Sequence, residues 1–307
     1  MVTQMEQSTH FILTLIRLGI ETMAATNENC LFLLNLPMSQ WREVMALADR
    51  QGVAAVTFDG VQRLYETHKY EIKAAQEKPQ EWMRWVFECT GMMTQYEQKN
   101  LQQRKIIGKL AEIWRESGIK MMVFKGQSNG SNPLHRALGD IDCYLFDDAD
   151  LGDSIMAVQG AEVTNNWYRH SKISFRGETI ENHRVFCHTR GSKAKKRMEK
   201  ELTAMLKPSD MMSLEGCGGA LAPTAQFNAH FLIYHALHHF TSEGLRMKQI
   251  LDWALFLYAH QDNVNWAMFN DFCKRYKLDR FAAIMNYIAS HSLGVECHTV
   301  CKHPTPF

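Results

Sequence analysis

The chain has 307 residues, of which 46% are hydrophobic and 22% are charged. That length supports a sizeable core in one domain or two, and the composition is ordinary for a globular protein. The net charge of +1 excludes a surface that binds polyanions through overall charge alone. Any site for phosphate or nucleic acid must therefore come from a local patch.

Targeting and membrane signals are absent from the sequence pattern. The first residues, MVTQMEQSTHFILTLIRLGI, lack the basic start and small-residue cleavage site of a secretory signal. No apolar run approaches the ~20 residues needed to span a bilayer. The cysteines are scattered rather than spaced as a disulfide framework. These features predict a cytoplasmic protein with no membrane partner.

Hydrophobic periodicity divides the chain into zones and predicts an α+β fold. Residues 1–118 and 211–295 show helical periodicity, and residues 296–307 form a tail that we expect to fray. The zone 119–210 mixes short apolar strands with helices. Its predicted strands are 121–124, 141–146, 173–175 and 179–186, the last two forming a hairpin around Arg176-Gly177, and its predicted helices are 127–134, 148–159 and 192–206.

Two aspartates begin the second predicted strand. In a strand, residues two apart face the same way, so Asp140, Asp142 and Tyr144 share one face, while Ile141 and Cys143 share the other. Two carboxylates held this close repel each other unless they are protonated or bridged by a cation. Hard oxygen ligands suit Mg²⁺ better than zinc. The alternative is a surface strand that carries two solvated aspartates.

A polar turn precedes this strand and resembles a phosphate-binding loop. The first predicted strand ends at Lys125-Gly126, and Gln127-Ser128-Asn129-Gly130 opens a short predicted helix. Backbone N–H groups at a helix start favour a phosphate, and glycine allows the ligand to approach closely. The turn and the aspartates together predict a site for a phosphate and a metal ion.

These residues resemble the nucleotidyltransferase superfamily typified by DNA polymerase beta. The pattern Phe124-Lys125-Gly126, then Arg136, then Asp140-Ile141-Asp142-Cys143 is similar to that of a bacterial branch, the uncharacterised nucleotidyltransferases. In the superfamily this turn has a glycine that is followed by Gly or Ser. The corresponding residues here are Gly126-Gln127-Ser128, and Gln127 at the second position departs from the commonest form. The resemblance implies a small mixed sheet of nucleotidyltransferase type, flanked by N- and C-terminal helical regions.

The resemblance also implies a third carboxylate on a neighbouring strand. The run Ile180-Glu181-Asn182-His183 matches the family's pattern at that point, and alternation puts Glu181 and His183 on one face. Glu178 is the rival candidate. It lies in the predicted turn, where a solvated role is expected.

A two-metal transfer reaction follows from this resemblance. Asp140 and Asp142 would bridge two Mg²⁺ ions, and Glu181 would bind the ion on the acceptor side. The expected nucleotide-binding residues are Lys125, Gly126, Gln127, Ser128 and Arg136, although Lys125 or Arg136 could instead form a structural ion pair. An NTP would donate its nucleoside monophosphate to a hydroxyl of a small molecule, sugar or protein, with nucleic acid not excluded.

Two other functions remain open at this point. One is a catalytically inactive protein that binds nucleotide or regulates a partner on the same fold, because fold does not guarantee function. The other is a metal-dependent phosphoesterase that uses the same carboxylates.

Histidines cluster elsewhere along the chain. His230, His235, His238 and His239 lie on one predicted helix, which Arg246 and Asp252 follow. A zinc site there would lack a third ligand, so we interpret these histidines as buried or partner-facing. Arg246 could reach a phosphate or form an ion pair. Cys297, His298, Cys301 and His303 superficially resemble a zinc knuckle but belong to the predicted tail.

Overall fold

The computed structural model describes residues 4–76, 78–125, 139–165 and 168–297. Its first part is helical, as the sequence predicts. A 3-10 turn, Glu28–Asn35, follows the first helix. The N-terminal helices are α1 (Gln4–Gly19), α2 (Met38–Arg50), α3 (Ala54–Thr67), α4 (Lys69–Ala75) and α5 (Pro79–Glu116).

Helices α1 and α3 approach each other closely because glycine lies at their crossing. A Cβ atom built on Gly60 would lie 2.0 Å from the backbone oxygen of Leu15, and one on Gly19 would lie 2.1 Å from that of Val56. No side chain fits at either position, so glycine allows the two backbones to come into contact.

Helix α5 runs unbroken for 38 residues and links the two halves of the molecule. Pro79 lies in its first turn, where the missing N–H costs nothing. Near that end, Trp82 packs edge-on against Trp41, with ring centroids 5.4 Å apart. Near the other end, Ile106, Leu110 and Trp114 belong to the core beneath the sheet.

The sheet is mixed and has seven strands among the described residues, in the order β3-β4-β5-β2-β1-β7-β6. Strands β2 and β5 are parallel, as are β1 and β7, and the other neighbours are antiparallel. The strands are β1 (Met122–Val123), β2 (Ile141–Tyr144), β3 (Glu162–Thr164), β4 (His170–Phe175), β5 (Glu178–His183), β6 (Met212–Ser213) and β7 (Leu221–Ala222). The sequence did not predict β3, β6 or β7.

The predicted hairpin is confirmed, and its turn fixes the pairing of β4 with β5. Arg176 and Gly177 both have positive φ, 52° and 82°, which is the conformation of a tight two-residue hairpin turn. Phe175 therefore pairs with Glu178, and the register continues to His170 opposite His183.

Helices cover both faces of the sheet. Ile141, Cys143 and Ile180 pack on one face against α5 and α6 (Ala149–Val158). On the other face, Phe124 and Tyr144 join the core of the C-terminal helices. These two aromatic side chains lie beyond the carboxylates on the same face and give it an apolar end on which helices can pack.

The C-terminal helices follow in sequence order and have defined N-terminal caps. Ser192 and Thr224 accept hydrogen bonds from backbone N–H groups in the first turns of α7 and α8. Within the described ranges, no helix combines the length and apolarity that crossing a bilayer requires. The helices are α7 (Lys193–Ala204), α8 (Ala225–Ser242), α9 (Met247–His260), α10 (Trp266–Tyr276) and α11 (Asp279–Tyr287), with a final π-helical turn, Ile288–Ser292.

Candidate active site

The parallel pair β2–β5 brings two of the predicted carboxylates side by side. Asp142 is the register partner of Glu181, although 38 residues separate them along the chain. Asp140 lies just before β2 and, by strand alternation, on the same side as Asp142. The side chains of Asp142 and Glu181 are 13% and 18% exposed, so water screens their charges only in part.

Two cationic or protonatable side chains contact Asp142. Lys125 Nζ donates a hydrogen bond to Asp142 Oδ1 over 2.6 Å, and His183 Nε2 lies 2.9 Å from the same oxygen. Burial by itself would raise the pKa of Asp142. The contacts with Lys125 and His183 outweigh burial and hold this pKa well below its usual range. Asp142 is therefore ionised at neutral pH.

Glu181 lies among three basic side chains. His183 Nε2 is 3.4 Å from Glu181 Oε2, while His170 Nε2 and Lys172 Nζ are 3.5 and 3.6 Å from Oε1. Burial opposes ionisation of Glu181, but the contacts with its basic neighbours, chiefly the hydrogen bond from His183, outweigh burial and lower the pKa of Glu181. Burial lowers the pKa of His170 itself to about 4, so its imidazole is neutral at pH 7.

Asp140 differs electrostatically from Asp142. Burial, and next the charge of Glu181, raise the pKa of Asp140, with Asp142 acting in the same direction. Lys172 and Lys99 offset this effect only partly. The site thus keeps a local excess of negative charge around Asp140, which a divalent cation would neutralise.

A cavity of about 280 Å³ lies between this face of the sheet and helices α8 and α9. The carboxylates and Lys125 line it from the sheet side. Helices α8 and α9 contribute a mixed wall of imidazole, ammonium, amide and carboxylate groups. The helical lining residues are Leu232, His235, His239, Lys248, Gln249 and Asp252.

The histidines of α8 do not all face the same environment. His235 and His239 line the cavity, and their Nε2 atoms lie 3.2 Å apart. His230 is instead buried in the helical core, where its Nδ1 lies 2.6 Å from the backbone oxygen of Gln226. Arg246 is not among the residues that line the cavity.

Buried polar side chains hold the site strands in place. Gln103 Nε2 donates to the Gly139 carbonyl over 2.7 Å and to Glu178 Oε2 over 2.9 Å. Glu178 is therefore tied to α5 rather than solvated. Asp153 is 4% exposed and accepts hydrogen bonds from the side chains of Ser171 and Asn182 in β4 and β5.

The structure brings four of the predicted site residues together around the cavity: Lys125, Asp140, Asp142 and Glu181. The other four, Gly126, Gln127, Ser128 and Arg136, lie outside the described residues, as does the predicted helix 127–134.

Two side chains near Glu181 were not predicted from the sequence. They are His170 and Lys172. The hairpin turn contains the signal that would have found them, because a two-residue turn at Arg176-Gly177 places residue 172 opposite 181 and residue 170 opposite 183. The cavity-lining roles of His235 and His239 depend on how α8 packs against the sheet, which periodicity alone does not specify.

The donor chemistry of the carboxylates fits a hard divalent cation. Asp140, Asp142 and Glu181 offer carboxylate oxygens on one face of the sheet, at the wall of one cavity. Carboxylates are the ligands that Mg²⁺ takes in proteins. Burial and the neighbouring charges of Glu181 and Asp142 raise the pKa of Asp140, and a bound cation would favour its ionised form.

Comparison with known protein families gives a match that covers most of the chain. The model of a family described as uncharacterised nucleotidyltransferase matches residues 37–294, which include the sheet, the cavity and the C-terminal helices. No curated protein and no solved structure matches the chain. The match spans well over half of the chain and contains every side chain that lines the cavity, so the protein belongs to the family of uncharacterised nucleotidyltransferases.

Proposed function

We propose that the protein transfers a nucleoside monophosphate from an NTP to a hydroxyl acceptor in a Mg²⁺-dependent reaction. The observation that carries this proposal is the pairing of Asp142 with Glu181 across parallel strands, with Asp140 beside them at the wall of a cavity. Of the three acids, Asp142 and Glu181 have basic partners in the protein, whereas burial and the charges of Glu181 and Asp142 raise the pKa of Asp140.

Asp140, Asp142 and Glu181 would hold the metal ions. Bound Mg²⁺ supplies charge stabilisation to the triphosphate and lowers the pKa of the acceptor hydroxyl. The chain's own part is to provide oxygen ligands on adjacent strands, whose backbone hydrogen bonds keep their spacing fixed. A rigid arrangement of this kind limits the reorganisation that the reaction requires.

The remaining polar groups of the cavity suit a triphosphate and an acceptor. Lys125 and Lys248 place ammonium groups at its wall, where they can offset phosphate charge. The turn residues Gly126, Gln127 and Ser128, with Arg136, remain proposed phosphate contacts. His170 lies on the Glu181 side and can orient an acceptor hydroxyl through the Glu181 carboxylate.

The size of the cavity bears on the acceptor. At about 280 Å³ it lies near the lower end of ligand pockets, which span about 300–1,000 Å³. We therefore propose a small molecule, a sugar or a protein side chain as the acceptor. The net charge of +1 gives no support to long nucleic acid as the main partner.

One observation favours a second candidate, nucleotide binding without transfer. The Lys125 ammonium contacts Asp142 at 2.6 Å, so a cation of the protein already neutralises one of the proposed metal ligands. If Lys125 stays on Asp142 when nucleotide binds, the metal ions would lose that ligand and transfer would fail.

Isothermal titration with each of the four NTPs, with and without Mg²⁺, tests the binding step. We expect Mg²⁺ to strengthen binding of at least one NTP, and we expect Asp140→Asn to remove most of that gain. Asp147→Asn is the matched control, because Asp147 is exposed beyond the end of the same strand. Equal Mg²⁺ effects in all three proteins would rule out the proposed role of Asp140.

A further inference from the structure

A compact group of nitrogen and oxygen donors includes Glu181, one of the three proposed magnesium carboxylates. Within the part of the chain that the structure describes, His170, Glu181 and His183 have ligand atoms within 4.8 Å of one another. Neither Asp140 nor Asp142 belongs to this group. Its donors are two imidazoles and one carboxylate, a set that Mg²⁺ rarely uses but first-row transition ions favour.

Two spacings between these donors are close to those of a tetrahedral metal site. Ligands at about 2.0–2.2 Å from a four-coordinate ion lie about 3.3–3.5 Å from one another. His183 Nε2 is 3.4 Å from Glu181 Oε2, and His170 Nε2 is 3.5 Å from Glu181 Oε1. Both imidazoles thus present the same ring nitrogen to the carboxylate, one to each of its oxygens.

The strands hold the three donors rigidly and mostly away from water. His170 and His183 are register partners on β4 and β5, and Glu181 lies two residues before His183 on the same face. Their side chains are 13%, 2% and 18% exposed for His170, His183 and Glu181. Preformed donors on paired strands lose little freedom when an ion binds.

We propose that His170, His183 and Glu181 bind a first-row transition-metal dication such as Zn²⁺, with Glu181 shared between this ion and the Mg²⁺ site that Asp140 and Asp142 complete. The inference deepens the proposed function and rests on it for the place of Glu181 on the acceptor side. Glu181 also lines the cavity, so the ion has an open side toward an acceptor, as catalytic zinc sites with three protein ligands do.

To bind an ion through Nε2, His183 would carry its ring proton on Nδ1 and would no longer donate a hydrogen bond from Nε2 to Asp142. The Nδ1 atom is buried and makes no hydrogen bond within the described residues. Lys172, 3.6 Å from Glu181 and nearly half exposed, can turn toward solvent when the ion arrives.

The test uses Co²⁺ as a spectroscopic probe on the full chain, stripped of metal with a chelator. We expect d–d absorption bands of a four- or five-coordinate nitrogen-oxygen site, abolished by adding Zn²⁺. His170→Gln should weaken Co²⁺ binding at least about tenfold, the scale at which metal sites respond to lost partners. His170 is the better target because the more deeply buried His183 also supports Asp142, and Glu181→Gln provides a second variant that should weaken binding as much.

His239→Ala is the matched control, because His239 belongs to the other close histidine pair at the cavity. It should leave the Co²⁺ spectrum and affinity unchanged. The inference is overturned if Co²⁺ binds no more tightly than Mg²⁺, or if folded His170→Gln and Glu181→Gln bind it as the wild type does. Loss of binding in His239→Ala alone would place the ion on α8 and also overturn it.

A parallel titration with Mg²⁺ and NTP separates this inference from the proposed function. Co²⁺ binding that depends on His170, together with no NTP binding, would contradict the proposed function alone. Mg²⁺-dependent NTP binding, together with Co²⁺ binding that ignores His170, would contradict the metal site alone.

Discussion

Asp140 and Asp142 are predicted to affect stability in opposite directions, although they lie two residues apart. At pH 7, Asp142→Asn should lower the free energy of unfolding, because Lys125 and His183 stabilise the ionised carboxylate. Asp140→Asn should raise it, because burial and the neighbouring carboxylates disfavour the ionised form of Asp140. A metal site in which neighbouring carboxylates repel each other until an ion binds produces this pattern. A pair of solvated surface aspartates does not.

The contacts set the magnitudes. Asp142 makes two hydrogen bonds with charged character, and each contributes about 1.5–3 kcal/mol against about 0.5–1.5 kcal/mol for the neutral bond that Asn would retain. The expected loss for Asp142→Asn is therefore about 2–3 kcal/mol. The side chain of Asp140 is exposed although its surroundings partly desolvate the carboxylate, so water screens the repulsion and the gain for Asp140→Asn should be below about 1 kcal/mol.

Urea unfolding of the wild type and both variants, without metal, measures these differences at several pH values. The pKa of Asp142 is lowered in the folded protein, so the deficit of Asp142→Asn is complete at pH 7. It shrinks once the pH falls below the unfolded value of about 3.9. The pKa of Asp140 is raised, so the gain of Asp140→Asn shrinks as the pH falls below that raised value and is gone below the unfolded value of about 3.9. Destabilisation by both substitutions at pH 7 would refute this electrostatic description.

Two further predictions address the metal ligands and the helical packing. Lys125→Met should tighten Mg²⁺ binding in the absence of nucleotide, because it removes the ammonium that contacts Asp142. The same substitution should weaken NTP binding. Titration calorimetry measures both affinities, and weaker Mg²⁺ binding would contradict the prediction. Gly60→Ala should lower the free energy of unfolding by about 3 kcal/mol, because its Cβ would lie 2.0 Å from the Leu15 carbonyl oxygen. Gly91→Ala, with nothing within 4 Å of the new Cβ, should raise the free energy of unfolding by about 0.5–1 kcal/mol. Equal effects of the two glycine substitutions in urea unfolding would show that helices α1 and α3 are not in close contact at Gly60.

Local patterns were sufficient where the physical cause is local. Alternation along β2 placed Asp140 and Asp142 opposite Ile141, and Arg176-Gly177 identified a turn that only residues tolerant of positive φ form readily. Strands β6 and β7 escaped prediction because each has two residues. A pattern with a period of two cannot be recognised over so short a length.

The environment of the carboxylates depends on contacts between distant segments. The sequence left open whether Lys125 binds phosphate or forms an ion pair, and the structure shows it paired with Asp142 across β1 and β2. Likewise, the sequence showed a row of histidines on α8 but not that His235 and His239 face the sheet. Such contacts follow from how helices pack on the sheet, which the periodicity of one helix does not determine.

Transfer of labelled nucleotide tests the central proposal most directly. The protein is incubated with each α-labelled NTP, Mg²⁺ and a bacterial cell extract, and the label is followed into new small-molecule or protein products while pyrophosphate is assayed. The proposed function predicts a labelled product with matching pyrophosphate release from wild type and Asp147→Asn, and a loss of both in Asp142→Asn. Labelling that is equal in Asp142→Asn and wild type, or release of the label only as free nucleotide, would contradict it.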